Sequence, residues 1–179
     1  MTTNEIIQIV MVITGLLSSL STIAAVLLAR KSFLANHERT KKQATIEYYT
    51  TTSNDAALPL QRAIMPIMGY EREYKQIRPD DAIWIENING FRDKFFFFCR
   101  AMERFAVGIN IGVFDFETFD RLSGQATVRL YKQLEALIEN VRKSEISDFC
   151  NEFSLLVLKL ELKRKEQKRE GEIKYSVSA

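Results

Sequence analysis

The chain has 179 residues, 46% of them hydrophobic and 27% charged, with 25 basic against 23 acidic side chains for a formal net charge of +2. That balance suits one packed domain with an appendage and excludes a disordered chain. The single histidine, His37, excludes a His-based triad and a multi-histidine metal site, so no catalytic residue, cofactor or metal is expected.

Charge is distributed unevenly. Glu5 is the only charged side chain in residues 1–29. The uncharged run from Ile6 to Leu28 reaches about 35 Å as a helix, enough to cross a hydrocarbon core of about 30 Å. A cleaved signal peptide would need a basic leader and a shorter apolar run, whereas "MTTNEIIQ" holds neither Lys nor Arg. Residues 1–29 are therefore expected to be a single-pass transmembrane anchor in the bilayer. Arg30, Lys31, Arg39, Lys41 and Lys42 follow it, and the positive-inside rule then puts the rest of the chain in the cytoplasm. Cys99 and Cys150 fit a reducing compartment as small buried hydrophobes. Within the span, Gly15, Ser18, Thr22, Ala25 and Ala29 recur at intervals of three and four, forming a stripe on which two such helices could approach closely. A homo-oligomer is the expectation.

Residues 30–53 have no helix breaker and are expected to continue as a basic helical stalk. "TTTSND" predicts a break, and a second helix over 54–77 is made irregular by Pro59 and Pro66. A third helix, predicted to start at "RPDD" and run over 81–107, carries the strongest pattern. Trp84, Ile88, Phe91, Phe95, Phe98, Met102 and Phe105 alternate in steps of four and three, a seam of core or interface aromatics. The quartet Phe95 to Phe98 puts rings all round the axis, so this helix is expected to be covered on several sides. Next, "AVGINIGVFDFETFDRLSG" looks like a helix-turn-helix, with Gly108 and Gly112 turning the chain and Asp115 capping the following helix. Phe114 and Phe119 stand at the positions of a hydrophobic staple. The second helix offers Glu117 and Asp120 where a DNA reader needs cations, so nucleic acid is excluded as a partner.

Two amphipathic helices complete the pattern. Residues 125–142 place Val128, Tyr131, Leu134, Ile138 and Val141 on one face. Residues 144–168 place Ile146, Phe149, Cys150, Phe153, Val157 and Leu160 likewise. Gly171 is expected to end order. The fold class is thus all-α, a single N-terminal transmembrane helix followed by a cytoplasmic helical bundle over 54–168 and a flexible tail over 169–179.

An N-terminal span, a basic stalk and "FFFFCRAMERFAVGINIGVFDFETFDRLSG" together resemble an uncharacterised bacterial family of membrane-anchored helical proteins, domain of unknown function 4760. The matching positions are Glu103, Gly108, Gly112 and Asp115. The family helix often has Asn one turn before the Glu, where this chain has Arg100. The resemblance implies an accessory product of bacterial chromosomes and mobile elements, and no activity. Two functions fit the residues. One is a non-enzymatic interaction module that self-assembles or holds a protein partner at the inner membrane, in a phage-defence or other mobile-element system, with no small-molecule substrate. The alternative is a membrane-perturbing effector whose spans gather into a leak. The absence of intramembrane charge favours the first.

Overall fold

The computed structural model describes residues 3–68, 76–88 and 90–177. Every element among them is helical. Helix α1 (Thr3–Thr52) passes through a π-helical turn at Ser53–Ala57 into α2 (Leu58–Met68) without leaving helical geometry, since Thr52 and Leu58 both keep right-handed dihedrals. The break expected at "TTTSND" is therefore absent. Pro59 supplies a physical reason for the wider turn. In a regular α-helix its ring would collide with the carbonyl of Asp55, to which it also has no N–H to donate. The rest of the second helix expected over 54–77 falls partly at 69–75, outside the described residues.

Helix α3 (Pro79–Glu86) begins at "RPDD" as expected, with Pro79 in the first turn, where a missing N–H leaves no bond unmade. It stops at Asn87, and α4 (Phe91–Asn110) starts after Gly90, whose φ of +73° is open to glycine at little cost. The single helix expected over 81–107 is thus two. The turn re-aims the first of them, so that Ala82 and Ile85 face the core while Trp84 is 63% exposed. Trp84 therefore leaves the core seam, whereas Phe91, Phe95, Phe98, Met102 and Phe105 remain in it, all buried. Of the phenylalanine quartet, Phe96 is half-buried and Phe97 faces outward. Trp84→Ala should accordingly shift stability by less than about 0.5 kcal/mol, against about 3–5 kcal/mol for Phe98→Ala. Comparable losses in denaturant titrations of the two variants would return Trp84 to the core.

Helix α5 (Phe116–Phe119) continues through a second π-turn, Asp120–Gly124, into α6 (Gln125–Ser144). The face predicted for α6 is the buried one, from Val128 to Val141. Helix α7 (Asn151–Val177) starts later than the expected 144, because the chain turns at 145–150, and Ile146 is left exposed. It also runs through Gly171 rather than ending there.

The chain divides into two compact units, Met1–Lys41 and Lys42–Ala179. The bundle therefore begins before the expected boundary at 54, since Thr45 and Thr52 are buried in it and Tyr49 packs against its core. In this unit α4 is central, packed on α7 and α2, while α6 packs on α3 and α7. In the other unit the helix is long and apolar enough to cross a membrane, and Leu17, Leu20, Ile23, Val26, Leu27 and Leu28 are all more than half exposed.

Candidate functional site

The motif from Glu103 to Asp115 is where sequence and structure concentrate. Phe105 on α4 has no exposed surface. Four rings surround it: Tyr48 at 5.7 Å and Tyr49 at 5.6 Å from α1, Phe114 at 5.2 Å from the turn, and Phe119 at 4.8 Å from α5. Phe114 and Phe119, expected as a staple, thus both close on Phe105. Gly108 makes this possible. A Cβ there would stand 2.4 Å from the Phe114 ring, so only glycine lets the ring lie against α4. Its carbonyl accepts from the Phe114 amide at 3.0 Å. Gly112, at φ +83°, reverses the chain between them.

Asp115 then caps α5 as predicted, its carboxylate accepting from the Thr118 amide at 2.8 Å. Its own amide donates to Thr45 Oγ1 at 2.7 Å, tying the turn to α1. Glu103 does something the sequence did not reveal. Its two carboxylate oxygens accept from the amides of Glu152, at 2.9 Å, and Phe153, at 2.8 Å. Those are orphan donors in the first turn of α7, which has Cys150 before it instead of a capping side chain. Arg100, Glu103 and Arg104 are spaced on α4 for a helix-surface ion cluster. What replaces it is a cap supplied by another helix, invisible to local periodicity because the partners lie 49 and 50 residues away.

The same junction holds a second charged clamp. Cys150 has φ +58°, a left-handed conformation that non-glycine residues rarely adopt. Arg142 reaches it from α6, donating to the carbonyls of Phe149 at 2.8 Å and Cys150 at 3.2 Å and to Ser154 Oγ at 2.7 Å. Glu139 in turn holds Arg142 at 2.7 Å. Carboxylate on the amides and guanidinium on the carbonyls fix the strained residue from both sides. Cys99 packs beside it, also buried and free. Burial and then the neighbouring Cys150 push the Cys99 thiol well up, so neither geometry nor acidity marks it as a nucleophile.

Beyond the motif, Asp120 is paired with Lys163 and Arg164, and Lys163 with Glu117, so this carboxylate group is engaged with α7. An open groove of about 460 Å³ runs beside Tyr48, Phe97 and Phe114, with Glu47, Asp55 and Arg104 around it. A smaller cavity of about 110 Å³ lies between Tyr49, Phe98 and Ser123. The predicted interface residues Gly15, Ser18, Thr22, Ala25 and Ala29 are all exposed. Nothing stands within 4 Å of where a Gly15 Cβ would be. The hydroxyls of Ser21 and Thr22 bond back to the Ser18 carbonyl at 2.8 and 2.9 Å, which lets them enter lipid without a lost hydrogen bond.

The motif residues therefore carry packing, turn and cap, and bring α1, α4, α5 and α7 to one junction. No curated protein and no solved structure matches the chain. The match that identifies it is over residues 9–160, which fit the family described as Domain of unknown function (DUF4760), and the chain belongs to that family.

Proposed function

We propose that the protein is a non-enzymatic, single-pass membrane module whose helical bundle lies on the cytoplasmic face of a bacterial inner membrane and self-assembles there or holds a protein partner. The observation that carries the reading is the exposed apolar face of residues 17–28, a surface far too apolar to be left in water. Orientation rests on Arg30, Lys31, Arg39, Lys41 and Lys42 on one side of the span against Glu5 on the other. The engagement of Glu103, Gly108 and Asp115 in structural contacts supports a module without chemistry of its own.

Self-assembly has two supports. One is the stripe Gly15, Ser18, Thr22, Ala25, which permits close backbone approach in lipid. The other is α7, which is apolar on both sides. Phe153, Leu156, Val157 and Leu160 are buried, while Leu155, Leu158 and Leu162, at steps of three and four, are about half exposed on the opposite side. A helix apolar all round is normally covered all round.

The protein should stay in the membrane fraction through a carbonate wash, and a cysteine introduced at Ala179 should resist periplasmic labelling. Release by carbonate, or labelling, overturns the anchor or its orientation. The detergent-extracted particle should have the mass of an oligomer, and Gly15→Ile with Ser18→Leu should dissociate it while leaving insertion intact. A parent already monomeric removes self-assembly from the reading.

A further inference from the structure

We propose that the cavity lined by residues of both π-turns is a binding site for a small neutral amide. The space is about 110 Å³. Ser53 and Ala57 of the first π-turn form one wall, and Ser123 of the second, whose Oγ accepts from the Tyr49 hydroxyl of α1, forms another. A π-turn has poorer hydrogen-bond geometry than the α-helix it interrupts and is found disproportionately where a helix serves a site. Pro59 accounts for the first of them. The second has no proline in or beside it, and its departure from α geometry goes with a wall of this cavity.

The lining sets the ligand's chemistry. The Tyr49 and Ser123 hydroxyls are hydrogen-bonded to each other, so the hydroxyls of Ser53 and Thr127 and the amide of Gln61 supply the groups that can donate to or accept from a ligand. No carboxylate, ammonium or guanidinium lines the space, so an ion entering it would lose its hydration without a counter-charge. The fitting ligand is neutral and has both a donor and an acceptor. Phe98, Met102 and Leu130 supply an apolar side, which suits a short alkyl group on that amide. A cavity of about 110 Å³ holds more than a single water and is on the scale of a carboxamide of a few carbons.

Butyramide and butyrate, of equal shape and different charge, separate the proposal from a merely wet cavity. Saturation-transfer NMR on the full-length chain in detergent should show butyramide bound and butyrate at least about tenfold weaker. Thr127→Val keeps the volume and removes one hydroxyl, and should weaken butyramide about fivefold. Ala57→Leu fills the space from the opposite wall and should abolish binding, with the melting curve confirming that each variant is folded. The proposal fails if butyramide shows no transfer, if butyrate matches it, or if either folded variant binds like the parent. Should Thr127→Val not fold, Ala57→Leu alone decides.

Discussion

Phe105→Ala should lower the stability of the bundle by about 3–5 kcal/mol, the range for removing a fully buried aromatic ring when its surroundings cannot collapse into the space. Collapse is restricted here because the four rings around Phe105 come from three different places. Tyr48 and Tyr49 belong to α1, Phe114 is held by its amide bond to Gly108, and Phe119 is in α5. Each aromatic contact adds to the area term as well. Urea titration of the parent and the variant gives the difference directly. A loss under about 1 kcal/mol would mean that the neighbouring rings close over the gap, and that Phe105 is not the centre of the junction.

Glu103→Gln should lose about 1–3 kcal/mol, although it preserves size and shape. The carboxylate presents two acceptors to two amides, whereas the glutamine side chain presents one acceptor and a donor. One first-turn amide of α7 is then left facing an N–H, and the negative charge that favoured the helix N-terminus is gone. Hydrogen exchange makes the assignment specific: the Glu152 or Phe153 amide should exchange faster in the variant than in the parent. Unchanged exchange at both, with unchanged stability, would show that the cap is not used in solution.

The readable parts of this chain were those whose cause is local. The α6 face from Val128 to Val141 follows from helical spacing alone, and the Asp115 cap bonds to an amide three residues away. The all-helical class follows from the same periodicity. Trp84 leaves the core seam because the chain turns at Gly90, φ +73°, which spacing alone does not register, so a pattern of fours and threes passes through two helices as if through one. The π-turns failed for a related reason. Serine, asparagine and aspartate at 53–55 favour a helix start by side-chain capping, but the following segment continues the same helix and leaves no terminus to cap. Glu103 was noticed as part of the motif, yet its role lies in α7, and no spacing within α4 points there.

That borrowed cap bears on the order in which the bundle forms. Helix α7 has the charged and apolar residues to extend itself, but its first turn is fastened by a carboxylate from α4 and preceded by a residue in left-handed geometry. Nucleation of that turn is unfavourable in isolation, so the start of α7 becomes helical as it docks and not before. A cap made only on docking should then act on the lifetime of the folded bundle: Glu103→Gln should hasten unfolding while leaving the folding rate nearly untouched, a split read from stopped-flow folding and unfolding rates. Equal effects on both rates would place the cap in the folding transition state.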